Sequence, residues 1–187
     1  EIQKHCKETT FKKIKNITHL ERNSAFDKKV PKNGYTCVDL FSGIGGFSIG
    51  FEASGFEVIV SCDNDEFVRE SHKKNMPHIP FVFGDLSAEK TQNALLDIIS
   101  GRPVDVLVGG PPCQGFSIFG KRRFVHTEQY DPTADFRNNL LDSYIEIVNK
   151  IQPNWIIIEN VPGLTSLDNG NYLARLEKNL KNLGYHN

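Results

Sequence analysis

From Tyr35 onward, short apolar runs alternate with stretches of helical periodicity. The runs that read as strands are Tyr35–Leu40, Phe56–Cys62, Pro80–Phe83, Val104–Val108 and Trp155–Glu159. Helical patterns fall between and after them, at Gly46–Ser54, Glu66–Asn75, Ala88–Ser100, Asn138–Ile151 and Asn171–Leu183. In the last of these Leu173, Leu176, Leu180 and Leu183 recur on one face, and Gly184 stands where a helix cap is expected. Strands that are apolar nearly throughout, each followed by a helix, predict an α/β fold with a mostly parallel sheet and helices on both faces.

Residues 1–34 depart from that pattern. They are polar and lysine-rich, and Phe11, Ile14, Ile17 and Leu20 allow one short amphipathic helix before the Lys32-Asn33-Gly34 turn. The chain therefore divides into an N-terminal extension, 1–34, and a domain from 35 to 187. The stretch Phe116–Asp135 has no clear period, carries Lys121, Arg122 and Arg123, and is long for a connection, so it is expected to be functional or mobile. The end, Leu183-Gly184-Tyr185-His186-Asn187, reads as a helix about to feed another strand. The domain is thus expected to be incomplete at its C-terminus, as a fragment or one piece of a split protein.

Composition adds limits. With 187 residues, 39% hydrophobic and 24% charged, the chain has room for one domain with a proper core. A net charge of −1 excludes a basic nucleic-acid coat, so any DNA contact must come from local patches or from another segment. Cys6, Cys37, Cys62 and Cys113 show neither zinc spacing nor a disulfide framework, so no metal is expected and a reducing, cytoplasmic setting is. No apolar run reaches membrane-spanning length, so no membrane partner is expected.

Three segments carry candidate chemistry. Gly109-Gly110-Pro111-Pro112-Cys113-Gln114-Gly115-Phe116-Ser117 puts a thiol behind a stiff Pro-Pro arm just past a strand, where open sheets place nucleophiles. Asp39-Leu40-Phe41-Ser42-Gly43-Ile44-Gly45-Gly46-Phe47 is a glycine-rich strand-to-helix turn that lets a ligand approach the backbone, in an order unlike the GxGxxG of dinucleotide sites. Asp63 and Asp85 follow the second and third strands, where a carboxylate can accept from a ribose hydroxyl or simply make a turn; Asp65 reads better as a helix cap. Finally, Trp155-Ile156-Ile157-Ile158-Glu159-Asn160 delivers a carboxyl to the sheet's rim, where apolar neighbours are expected to raise its pKa by desolvation.

GGPPCQGFS, DLFSGIGGF and Glu159-Asn160-Val161 together resemble, in order, the motifs of the cytosine-C5 DNA methyltransferases, and Asp135-Phe136-Arg137-Asn138-Asn139-Leu140 resembles a further one. The resemblance covers roughly Tyr35 to Tyr185. It implies a Rossmann-like fold dependent on S-adenosylmethionine and methyl transfer to carbon 5 of cytosine in double-stranded DNA, through a covalent cysteine adduct and base flipping. By residue, it implies Cys113 as nucleophile, Glu159 as partner of ring nitrogen 3 and Asn160 as the group that orients the cysteine loop. Phe41, Gly43, Gly45, Asp63, Asp85 and Leu140 would line the cofactor site. The Pro111 carbonyl would accept from the exocyclic amine, and Arg122 and Arg123 would contact phosphates. Where relatives often carry an aromatic or aliphatic residue after the first acid, this chain has Asn64.

No target-recognition region and no C-terminal motif completing the cofactor pocket are found in the sequence. A second chain carrying them is therefore expected as a partner, and the isolated chain is expected to methylate poorly. The alternatives are a tRNA cytosine methyltransferase of the same family and a catalytically silent subunit.

Overall fold

The computed structural model describes residues 32–111, 139–160 and 170–186. Five strands form one parallel sheet: β1 (Thr36–Leu40), β2 (Glu57–Asp63), β3 (Phe81–Phe83), β4 (Val106–Gly109) and β5 (Trp155–Ile158), in the order β3-β2-β1-β4-β5. Five helices accompany them: α1 (Gly46–Ala53), α2 (Glu66–Asn75), α3 (Glu89–Ile99), α4 (Asn139–Ile151) and α5 (Asn171–Asn182). The order reverses at β1. The crevice between the carboxyl ends of β1 and β4 is therefore the switch point where open sheets of this kind bind ligands.

Two apolar layers sandwich the sheet. On one face Val38, Leu40, Val60, Leu107, Leu95, Tyr144 and Ile147 make the larger cluster, beneath α3 and α4. On the other, Cys37, Val58, Val106 and Val108 meet Met76, Ile79, Phe47 and Phe51. This is the double covering that the continuous apolar strands predict. The β1–β2 register slips between Cys37 and Val38, so Val58 pairs with Cys37 and Val60 with Val38. Ile59 and Val60 both turn into the larger cluster, and Ser61 arrives opposite Asp39.

Every strand and helix predicted from residue 35 onward forms among the described residues, with ends shifted by one or two residues, while the short helix expected within 1–34 lies outside the described residues. Tyr35, Phe56, Pro80 and Val104 precede their strands, and Glu159 follows β5. One expectation fails at β5. Among the described residues it is an edge strand with one face covered: Trp155 is 71% exposed and Ile157 42%, while Ile156 and Ile158 pack inward.

At the amino ends of the strands, Asp105 acts as a clasp. It accepts from Thr36 N (2.8 Å) and Asn154 Nδ2 (3.0 Å), and its own N donates to Thr36 Oγ1 (3.0 Å). These bonds, led by the Thr36 backbone donor, hold the Asp105 carboxyl below the usual range. Tyr144 of α4 is wholly buried, and its hydroxyl donates to Leu107 O (3.1 Å) and Ile157 O (3.2 Å), tying the helix to β4 and β5.

Candidate active site

Candidate residues gather along the carboxyl ends of the strands. After β1 the chain turns sharply: Phe41 adopts φ 54°, Gly43 φ 53° and Gly45 φ 89°. A left-handed conformation at a phenylalanine is uncommon and marks a constrained turn. Phe41 packs half-buried against the larger core cluster. Gly43 has open space where a side chain would stand, and so has Gly46. Gly45 is different. A Cβ there would run into the end of the flexible Met76 side chain, which can move aside, so it is the left-handed φ of Gly45 that calls for glycine.

Two carboxylates hold the turn from below. Asp63, at the end of β2, accepts from Gly43 N through Oδ2 (2.8 Å) and from Asp65 N through Oδ1 (3.0 Å). Asp39 is fully buried in β1, and its Oδ2 accepts from Ser48 N (3.0 Å) and Ser48 Oγ (2.6 Å); Ser48 Oγ is also 2.9 Å from Ser61 Oγ. Burial, with the Asp63 charge adding to it and the Ser48 bonds opposing it, pushes the Asp39 carboxyl up to about 6. Asp39 was not among the residues singled out by sequence. The available signal was an acid inside an otherwise uncharged strand, Thr36-Cys37-Val38-Asp39-Leu40, facing a serine in the next one.

Asp65 caps α2, its Oδ1 accepting from Phe67 N (2.7 Å) and Val68 N (3.3 Å), as the alternative reading of that residue has it. Asp85 is exposed in the turn after β3, and its Oδ1 accepts from Ser87 N (2.9 Å) and Ser87 Oγ (2.8 Å). Gly84 N donates to Asp63 O (3.0 Å), which joins the two acidic turns side by side. Leu140 is buried in the first turn of α4, as part of the core.

The β4 and β5 ends make the second half of the site. Glu159 N donates to Gly109 O (3.0 Å), continuing the strand pairing. A Cβ on Gly110 would stand 3.0 Å from Glu159 Oε2, so the carboxylate lies directly against the Gly110 backbone. Asn160 Nδ2 donates to the carbonyl of Pro111 (3.2 Å), which is buried. Glu159 itself is exposed, so the expected enclosure by apolar neighbours is not there. Among the described residues no strand lies beyond β5, so none shields Glu159 on that side. Cys113, Arg122 and Arg123 lie outside the described residues. Of the other cysteines, Cys37 and Cys62 are strand-buried. Burial pushes both thiols up, that of Cys62 to about 12, which keeps them protonated and unreactive.

A ligand with polar groups fits over the β1 turn. Space is open above Gly43 and Gly46, Ser42 Oγ and Asp39 Oδ1 are buried without a hydrogen-bond partner, and carboxylates stand at the ends of three adjacent strands. Among the described residues the rim is acidic (Asp39, Asp63, Asp65, Asp85 and Glu159), which suits a cationic ligand and a base edge rather than a phosphate.

Sheet order, the turn after β1 and the Glu-Asn pair beside Gly110 and Pro111 define an α/β protein of the Rossmann-like methyltransferase type. Comparison with known sequences gives the family. The model of the C-5 cytosine-specific DNA methylase family matches residues 35–187, and the chain belongs to that family. It is similar to the type II methyltransferase M1.HphI of Haemophilus parahaemolyticus, 37% identical over 80% of this chain and 38% of the relative. Type II methyltransferase M.HindV of Haemophilus influenzae is 42% identical over 67% of this chain and 37% of that protein. Among solved structures, one assigned as a prophage-encoded DNA modification methyltransferase from E. coli superposes with a TM-score of 0.61 at 29% identity, covering 80% of this chain and 38% of the other. The chain thus spans less than two-fifths of the length of these proteins.

Proposed function

We propose that this chain is the cofactor-binding and cysteine-bearing part of an enzyme that methylates carbon 5 of cytosine in double-stranded DNA. S-adenosylmethionine, held over the β1 turn, supplies an electrophilic methyl group. Phe41, Gly43 and Gly45 shape that site; Asp63 and Asp85 take its sugar and base hydroxyl or amino donors, with Leu140 at its margin.

Cys113 adds as thiolate to carbon 6 of the cytosine. A free thiol titrates near about 8.5, so at neutral pH the addition needs help from the ring. Glu159 gives it by donating a hydrogen bond to ring nitrogen 3, which draws electron density from carbon 6. The ring then holds an enamine, and its carbon 5 would take the methyl group from the bound sulfonium, whose S–CH3 bond would break with the sulfur leaving as a neutral thioether. Loss of the carbon 5 proton to a base and elimination of the thiolate restore both aromatic ring and free Cys113. Glu159 must be in its protonated form to donate. Its exposure in this chain means that the substrate and the rest of a family-length protein supply the exclusion of water.

The cytosine must leave the duplex to reach this rim, so base flipping belongs to the reading. Arg122 and Arg123 are its phosphate contacts. The target-recognition segment comes from a second polypeptide or from further chain. A reducing cytoplasm suits the thiol chemistry.

One observation carries the proposal: Glu159 and Asn160 abut the Gly110-Pro111 arm that leads, two residues on, to Cys113. Its test is trapping on duplex DNA containing 5-fluorocytosine, where fluorine blocks the elimination. The chain, supplied with the methyl donor and the C-terminal portion of a family-length relative, should form an adduct stable to denaturation. Cys113→Ser should abolish it and Glu159→Gln should cut its rate at least tenfold, in keeping with the typical weight of general acid–base groups. Equal trapping by Cys113→Ser would sink the assignment. Trapping on tRNA but not on duplex DNA would move the reaction to RNA.

A further inference from the structure

Helix α1 begins without a conventional cap. Its N-cap is Gly45, which has no side chain to accept the free N–H groups of the first turn. The acceptor comes instead from β1. Asp39 Oδ2 takes the N–H of Ser48, the third helical residue, in the place of a cap side chain, and the Ser48 hydroxyl as well. Ser48 Oγ in turn meets Ser61 Oγ, so the network ties β1, β2 and α1 at one point, all of it buried. Directly above lies the Ser42–Gly45 turn, closed by Gly45 N donating to Ser42 O (2.9 Å). Asp39 Oδ1 and Ser42 Oγ are both buried without a hydrogen-bond partner. A buried, half-satisfied carboxylate is a costly choice for scaffolding alone.

We propose that Asp39 is a positioning residue for the cofactor, which as a carboxylate fixes the first turn of α1 and so makes cofactor affinity depend on its own ionisation. The inference rests on reading the β1 turn as the cofactor site. The titratable groups that bear on Asp39 are Asp63 and Cys62 on β2, Cys37 on its own strand and Tyr144 on α4. None is a cation, and the thiols and phenol stay neutral near pH 7. Among the described residues Asp63 is the charged neighbour that bears on Asp39, and it favours protonation of Asp39. Asp39 therefore changes charge at mildly acidic pH, where an ordinary aspartate would not. Protonation removes the charge assistance from the two Ser48 bonds, which loosens the turn.

S-adenosylhomocysteine is the probe, because its binding needs no methyl transfer. Its affinity for the 187-residue chain is measured by calorimetry from pH 5 to 8, beside amide hydrogen exchange at Ser48. The expected result is about fivefold weaker binding as pH falls through 6, with a parallel loss of protection. Asp39→Asn keeps the shape and one acceptor, and should bind at the weaker level with no step near pH 6. Ser48→Ala should weaken binding while keeping the step. Wild-type affinity that is flat with pH, or an Asp39→Asn profile that follows the wild type, would overturn the role of Asp39. No binding at any pH would overturn the cofactor reading itself, a result distinct from binding without a step.

Discussion

Gly109 and Gly110 stand next to each other and respond to substitution in opposite ways. A Cβ on Gly109 would meet Leu40 O at 2.8 Å and Tyr144 Cε2 at 2.9 Å, a backbone carbonyl and a locked ring, neither of which can yield. Gly109→Ala is expected to destabilise the chain by about 2 kcal/mol through overpacking, read as a lower urea midpoint. On Gly110 the obstruction is the end of the Glu159 side chain, which swings freely from an exposed position. Gly110→Ala should leave stability within about 0.5 kcal/mol yet slow adduct formation on 5-fluorocytosine DNA roughly tenfold, because the carboxylate moves off the base. A mutant that traps at the wild-type rate would show that this close approach has no part in the chemistry.

At the scale of elements, sheet and helices are joined by a few polar bonds at defined places. Tyr144→Phe removes the single O–H shared between Leu107 O and Ile157 O, and should cost about 1 kcal/mol through loss of one buried hydrogen bond. Amide exchange should quicken first in β5, the edge strand. Asp65→Ala removes the α2 cap and should cost about 1 kcal/mol in thermal or urea unfolding, with S-adenosylhomocysteine affinity changed little. The elements themselves were legible in the pattern of apolar positions, as every predicted strand and helix in the described residues forms. The exposed face of β5 was not. Trp155-Ile156-Ile157-Ile158 reads as a strand buried on both sides, and composition cannot tell that its outward pair lacks a covering layer.

For the molecule as a whole, Asp39 and Asp105 set opposite pH trends. The Asp39 carboxyl is raised in the fold, so its contribution favours the fold below the ordinary aspartate pKa and is lost as pH rises through about 6. Asp105 is held low, so its contribution is present above the ordinary aspartate pKa and is lost as pH falls through its lower folded value. Of these two carboxyls only Asp39 changes charge between pH 5 and 7.5, and the histidines, common to mutant and wild type, cancel in the comparison. The stability of Asp39→Asn relative to wild type should therefore rise by about 1 kcal/mol over that interval, whatever its offset at either end. Parallel unfolding curves for the two proteins across the interval would contradict the raised carboxyl. At this scale too, a chain covering less than two-fifths of the relatives compared above is expected to bind cofactor more readily than it methylates. Turnover should rise steeply when the missing portion of a family-length protein is added in trans.

The amino-acid sequence by itself determined the α/β class, the alternation of elements and the family, because apolar periodicity is local and the motifs are contiguous strings. It also marked Asp63, Asp85, Glu159 and Asn160 as rim residues, since each follows a strand directly. Only the tertiary structure decided which of these touch. Asp63 reaches Gly43 across β1 and β2, Asn160 reaches Pro111 across β4 and β5, and a register slip in β2 sets Ser61 against Asp39. Those pairings join residues far apart in the chain, and their geometry comes from sheet order and strand register, which no local pattern encodes. The same reason hid Asp39: a buried acid is recognised by its surroundings, and those come from three different elements.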